Sequence, residues 1–413
     1  MIALAAQRAS TFTKAFPLLR DRRSFQYLLI IFAFLIFLFF TWSHLLPQSF
    51  PRLSQQKSSA EILGAISNGT LGFQEVFALA LPDRRDRSQP LIHAATATNI
   101  NVTVLNAVRD KEIPEETWPQ SWNAGSHQVG ELGCLVSHVR TWNKIISHNI
   151  NTALILESDA DWDLRLRSQL AQLPPAIDAI VDFPFYMPSL RSSKPSDKLL
   201  DNPSSVTQVE PYGLNWDIIW MGHCGSNAEG QARIYSYNDT TAPQAEKEFF
   251  FDVGLFGDQH KYGTRGVFQF ARTTCSTGYA ISNRGAHKLV KYFQETNENL
   301  DIELSRACSS HADMTCLGVW PQFFTNAPSA SSIDHSGEGD TAPGSTDGEG
   351  VQYKPGPALQ FSARVNAFGI MDDGWGPEDW VPEWDTMWGD DNGTWAMLPL
   401  NKTYLIERGE MTI

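Results

Sequence analysis

The segment TALILESDADWD, Thr152 to Asp163, ends an apolar run at Leu156 and then places carboxylates at Glu157, Asp159, Asp161 and Asp163. In an extended chain, alternate residues share a face. Like charges on one face repel one another unless something positive lies among them. A hard divalent cation bound through carboxylate oxygens would relieve that repulsion. A calcium-binding EF-hand loop starting at Asp159 has its first three acids, but Leu164 stands where the loop needs Gly and Leu170 where it needs Glu. Two readings stay open. One is a solvated acidic turn. The other is an Asp-x-Asp metal site, Asp159-Ala160-Asp161, that holds a nucleotide diphosphate.

The elements that must position these acids alternate between two periods. EVFALAL (75–81) and NVTVLNAV (101–108) read as strands, and PLIHAATAT (90–98) between them reads as a helix, which makes a βαβ unit. In 129–149, Leu132, Leu135, Val136, Val139, Trp142, Ile145 and Ile146 recur at helical spacing and lead into the strand Ala153–Leu156. WDIIWMG (216–222) is a further strand, and TGYAISNRGAHKLVKYF (277–293) a strand running into a helix with Ser282 as its N-cap. The pattern predicts an α/β domain with a largely parallel sheet. Such sheets bind ligands beyond the carboxyl ends of their strands, which is where the acids lie.

The 413-residue chain carries a net charge of -14. Residues 1–52 hold six Lys/Arg and one Asp, so the remainder is strongly acidic and lacks the basic face that nucleic acid requires. From Phe25 to Ser49 there is no charged residue, and YLLIIFAFLIFLFF lies at the centre of that stretch. This is long enough to span a bilayer. Arg8, Lys14, Arg20, Arg22 and Arg23 precede it and predict a cytoplasmic N-terminus. A cleaved signal peptide fits less well, because the apolar stretch is long and no A-x-A-like site follows. The expected organisation is a cytoplasmic tail (1–24), a signal-anchor helix (25–46), a stem (47–73), a catalytic domain (74–330), and an acidic Trp-rich extension (331–413) with a mobile loop at 336–350. Asn-x-Ser/Thr triplets at Asn68, Asn101, Asn238, Asn392 and Asn401 all follow the anchor and agree with a lumenal body. Of the cysteines, Cys134 sits in a helical pattern as a buried thiol. Cys224, Cys275, Cys308 and Cys316 allow two disulfides in three connectivities. Trp375, Trp380, Trp384, Trp388 and Trp395 either pack the tail onto the domain or form a sugar-stacking platform.

The stretch GELGCLVSHVRTWNKIISHNINTALILESDADWD (130–163) resembles the core of glycosyltransferase family 25, which includes lipooligosaccharide and collagen galactosyltransferases. Gly130, Glu131, Gly133, Cys134, Ser137 and His138 match the family's helix motif. Leu156, Glu157 and Asp159 match its strand-end motif, and Leu81, Arg84, Asp86 and Arg87 match its opening. The resemblance spans about residues 75–325. Ser158 departs from it where the family usually has the first Asp of a pair, and Ala80 where it usually has Asn.

The resemblance implies a GT-A-like, Rossmann-type fold and an inverting transfer of a hexose, galactose favoured, from a UDP-sugar to a glycan or glycoprotein hydroxyl. It implies Mn²⁺ (or Mg²⁺) held by Asp159 and Asp161 against the leaving diphosphate, and Arg84 and Arg87 beside the donor. Asp301, in LDIELSRAC, is then the general base, with Glu303 and Asp313 as rivals. Glu157 joins the cofactor-binding set. Glu131 and His138, which share a helix face, orient the donor or the metal strand, or form a structural pair. The implied protein is a single-pass type II membrane glycosyltransferase of the Golgi or ER. The alternative is a non-catalytic lumenal sugar- or partner-binding protein on the same scaffold, as Ser158 would allow.

Overall fold

The computed structural model describes residues 58–181, 209–228, 234–242, 263–310, 313–327 and 359–381. The expected cytoplasmic tail, anchor and mobile loop, and Trp384, Trp388 and Trp395, lie outside these residues. Among the described residues no helix is long and apolar enough to cross a membrane.

The folded unit begins earlier than residue 74. Helix α1 (Ser59–Ile66) starts with a capping box between Ser58 and Glu61, and Ile66, Leu71 and Phe73 are core residues. The expected stem is therefore shorter at its C-terminal end, because its last apolar residues are buried. The βαβ unit follows as β1 (Glu75–Ala80), α2 (Arg85–Ala97) and β2 (Thr103–Asn106). Helix α3 (Glu131–Ser147) leads to β3 (Thr152–Glu157), and a two-residue turn reverses the chain into β4 (Ala160–Trp162). Helix α4 (Leu173–Val181) covers the sheet. Strands β5 (Ile218–Gly222), β6 (Gly225–Ala228), β7 (Ile234–Asn238), β8 (Thr264–Thr274) and β9 (Gly278–Ser282) come next. The chain then forms α5 (Asn283–Tyr292), α6 (Leu300–Ser310), β10 (Cys316–Trp320), β11 (Phe324–Asn326) and α7 (Ala363–Asp372).

The sheet order is β2-β1-β3-β9-β5-β10-β8-β6. β2, β1 and β3 are parallel neighbours, as are β5 and β10. β9 runs antiparallel to both β3 and β5, so five strands of the centre point one way and β9 alone is reversed. The expected parallel α/β sheet is thus present at its centre, with antiparallel additions at one side. Apolar residues cover both faces. Leu91, Trp162 and Ile177 pack on one side, and Trp142, Leu289 and Leu304 on the other, as a helix–sheet–helix sandwich requires. Ser282 Oγ accepts the Gly285 amide at 3.0 Å, which fulfils the predicted cap. The disulfides pair Cys224 with Cys275 and Cys308 with Cys316, and Cys134 is a free thiol.

One core residue gives the fold a pH signature. His223 stacks on Trp320 and its Nε2 donates to the Val319 carbonyl at 3.0 Å. Burial lowers its pKa to about 4. The unfolded chain therefore takes up a proton near pH 6.5 that the folded chain refuses until about pH 4. The contribution of His223 to stability is constant above pH 6.5 and falls as pH drops, with a slope approaching about 1.4 kcal/mol per pH unit. His223→Gln keeps a donor without this titration. Between pH 7 and 5, urea unfolding is expected to shift in favour of the variant by about 2 kcal/mol. Parallel pH profiles of the two proteins would refute this.

Candidate functional site at the carboxyl edge of the sheet

β1, β2 and β3 end on one edge, at Ala80, Asn106 and Glu157. Beyond β1, the first turn of α2 brings in Arg87. Before β9, the loop Cys275–Thr277 reaches the same edge, because β9 is reversed there. A cavity of about 300 Å³ opens beyond β1 and β2, lined by Ala80, Pro82, Arg85, Ser88, Gln89 and Asn106, among others.

The four alternating acids do not share a face. The turn at Ser158–Asp159 breaks the extended run, and β4 pairs antiparallel with β11, Asp161 facing Thr325. The acids separate into two pairs. Glu157 and Asp159 lie toward the edge. Glu157 Oε1 accepts from Ser276 Oγ at 2.5 Å. Burial, and next the charge of Asp159, pushes the Glu157 carboxyl up from its ordinary range. Asp159 forms an ion pair with Arg87, and Asn326 Nδ2 donates to its Oδ2 at 3.3 Å.

Asp161 and Asp163 point instead at the C-terminal segment. Asp161 accepts from Ser362 Oγ and from the amides of Trp162 at 2.8 Å and Arg364 at 3.2 Å. Asp163 is fully buried and accepts from Arg165 Nε at 2.7 Å and from the amides of Gln360 and Phe361 at 3.0 and 3.1 Å. Arg364, from α7, donates to the Ser158 carbonyl at 2.6 Å and the Ala160 carbonyl at 2.8 Å. It thereby grips the turn that carries Asp159 from both sides.

A hard divalent cation fits this edge at one of its two expected ligands. Asp159 is 8% exposed, and its Oδ1 is buried with no hydrogen-bond partner, so an acceptor is left for a cation. Asp161 is turned to the C-terminal segment, where its oxygens accept hydrogen bonds from Ser362 Oγ and the Arg364 amide as well as from the Trp162 amide. The Asp-x-Asp spacing presumed one extended face, and the turn at Ser158–Asp159 removes it.

The other expected residues are distributed as follows. Asp301 is in the first turn of α6. Its Oδ2 accepts the Cys275 amide at 2.7 Å and its Oδ1 the Ile302 amide at 2.8 Å. Its charge contributes to raising the Glu157 pKa, so Asp301 belongs to the same acidic edge. Of its rivals, Glu303 pairs with Arg306 at 2.8 Å, and the backbone carbonyl of Asp313 accepts from Lys288 Nζ. Arg84 pairs with Asp86 at 2.8 Å in the surface turn before α2. Glu131 pairs with His127 at 2.8 Å, beneath the stacked ring of Trp122, and is not brought to the edge. His138 is deeply buried, with Nδ1 2.8 Å from Tyr279 Oη. Burial lowers its pKa to about 3, so the ring is neutral.

Ser276, Asn326, Ser362 and Arg364 were not expected at the site. Ser276 lies one residue before the recognised strand segment, so its position was within reach of sequence reasoning. Nothing in the local sequence marks the others. Of the tail tryptophans, Trp375 lies against Gly369, where a methyl group would meet its ring, and Trp380 stands edge-on to Phe361 at 5.7 Å between ring centres. These two pack the C-terminal segment onto itself.

Residues 73–186 match the family described as glycosyltransferase family 25 (LPS biosynthesis protein). The chain is 25% identical over 232 residues to procollagen galactosyltransferase 1 of Danio rerio, which covers 54% of this chain and 29% of that protein. It is 26% identical over 232 residues to procollagen galactosyltransferase 2 of Mus musculus, covering 53% of this chain and 28% of the relative. It is also 25% identical over 175 residues to a Bos taurus protein named probable inactive glycosyltransferase 25 family member 3, covering 40% of this chain and 24% of that one. The chain thus spans less than a third of the length of these curated relatives. The parallel strands β1, β2 and β3, the α3 helix motif and the acidic strand end all lie inside the segment, residues 73–186, that is similar to glycosyltransferase family 25.

Proposed function

We propose that this chain is an inverting hexosyltransferase that moves galactose from a UDP-sugar to a hydroxyl of a glycan or glycoprotein. The observation that carries the reading is the convergence of Arg87, Asp159 and Asp301 at the carboxyl edge of parallel strands. The names of the procollagen galactosyltransferases support galactose as the sugar. In this reading the donor lies over the ends of β1 and β2. Asp159 would hold Mn²⁺ or Mg²⁺, with the remaining ligands coming from donor phosphates and water, as is common for such ions. The bound ion would supply neutralisation of the leaving diphosphate. Arg87, paired with Asp159, adds positive charge on the same side. Asp301 is the base. Two backbone amides orient its carboxylate, and a carboxylate has further lone pairs for the acceptor hydroxyl's proton. We also assign the domain to the Golgi or ER lumen behind the apolar segment 25–46, a compartment in which its two disulfides persist.

A second reading, a non-catalytic binding protein, is favoured by Ser158 in place of an acid and by the inactive designation of some relatives. Measuring UDP release across UDP-hexoses, with Mn²⁺ and a collagen-derived acceptor, separates the two. The transferase reading expects turnover that is fastest with UDP-galactose. Folded protein that binds UDP yet releases none from any donor is the non-catalytic outcome.

A further inference from the structure

We propose that Cys134, His138 and Glu157 form a binding site for a thiophilic divalent cation of the zinc class, separate from the Asp159 carboxylate. One ligand-capable atom from each lies within 4.8 Å of the others. Among the described residues this is the one group of three or more such side chains so placed. In a tetrahedral zinc site, with bonds of about 2.0–2.3 Å, ligand atoms lie about 3.3–3.8 Å apart. The three groups therefore need side-chain movements of only about 1 Å to close on an ion. Cys134 and His138 are one turn apart on α3 and so project from one face. Glu157 comes from the end of β3, and an ion would join helix to strand.

Two of the three side chains are already fastened from behind, as ligands of metal sites usually are. His138 Nδ1 meets Tyr279 Oη at 2.8 Å, and the same Oη receives Trp142 Nε1 at 2.9 Å. With Nδ1 engaged, Nε2 is the ring nitrogen left for a ligand. The imidazole is 1% exposed. Ser276 Oγ holds Glu157 Oε1 and leaves Oε2. Cys134 Sγ belongs to no disulfide. A thiolate with an imidazole selects zinc-class ions over Mn²⁺ and Mg²⁺, which prefer oxygen donors. Three protein ligands leave a fourth position for water. On binding, the proton of the Cys134 thiol and any proton on Nε2 or on the Glu157 carboxyl pass to solvent, leaving thiolate, neutral imidazole and carboxylate as ligands. The bland alternative is a packed, neutral trio with no affinity for metal. The inference does not rest on glycosyl transfer and is tested without donor or acceptor.

The test uses full-length protein stripped with chelator, titrated with Zn²⁺ by calorimetry and with Co²⁺ by absorption. One Zn²⁺ per chain is expected, along with an intense near-ultraviolet thiolate-to-cobalt band. Cys134→Ser removes that band, and Tyr279→Phe weakens Zn²⁺ binding about 10-fold. Asp159→Asn leaves both signals in place, which separates this site from the proposed donor metal. Alkylation of Cys134 in the unmutated protein gives a check that needs no variant: Zn²⁺ slows it and Mn²⁺ does not. Absent saturable Zn²⁺ binding, a cobalt spectrum without the thiolate band, or equal Zn²⁺ affinity in Cys134→Ser overturns the proposal.

Discussion

Asp159→Asn is expected to lower UDP release from the preferred UDP-hexose by about 100-fold or more while the protein stays folded. Asparagine matches aspartate in size and keeps an acceptor for Asn326, but it removes the charge that pairs with Arg87 and the oxygen left for a cation. An ion at a developing diphosphate charge contributes several kcal/mol to the transition state, and each 1.36 kcal/mol is a factor of ten in rate. Loss of the ligand therefore falls on turnover. The Arg87–Asp159 pair is itself nine-tenths buried, so some loss of stability accompanies the change, and the melting temperature must be measured beside the rate. Full activity at unchanged melting temperature would remove Asp159 from the site. The corresponding Asp161→Asn change should act mainly on stability, since its carboxylate holds Ser362 and the Arg364 amide. The contrast between the two variants distinguishes a ligand from an anchor.

Arg364→Met is expected to destabilise the domain by about 3 kcal/mol and to lower activity with it. The guanidinium is half-buried against the turn it grips. Removing it leaves the Ser158 and Ala160 carbonyls without their donors and the buried Asp161 charge without its neighbouring cation. A buried polar group left unsatisfied costs about 1–3 kcal/mol, and breaking one side of a buried charge pair costs about 3–5 kcal/mol. The methionine stem recovers part of the packing. Because Ser158 and Ala160 flank Asp159, the loosened turn also misplaces that carboxylate. Denaturant titration of Arg364→Met, Asp161→Asn and the double variant gives the coupling. The double variant should be less destabilised than the sum of the singles. Strict additivity would mean that the C-terminal helix and the turn do not act as one unit.

The strand–helix alternation that fixed the fold class could be read locally. Each of EVFALAL, the Leu132–Ile146 helix and the Ala153–Leu156 strand carries its own periodicity, and each appears in the structure within a few residues of its expected bounds. Ser282 as a cap was equally local. The site was only half legible. Glu157, Asp159 and Arg87 follow from their positions just past strands β3 and β1. Asp301, which the resemblance singled out and the residues alone did not, reaches the same edge through the Cys275 amide, a contact that no sequence pattern marks. Glu131, chosen because it shares a helix with His138, turns instead to His127, which lies four residues before it.

The sequence by itself determined that an acidic α/β domain ends a buried strand in carboxylates, because hydrophobic period and charge are properties of neighbouring residues. Only the tertiary structure decided what each carboxylate does. A turn at Ser158–Asp159 and the pairing of β4 with β11 split the alternating row. Ser362 then takes Asp161 from a position 201 residues further along the chain. No local pattern encodes that choice. It depends on which donors the folded chain brings within hydrogen-bond reach, and a buried carboxylate is committed to whichever of them satisfies it.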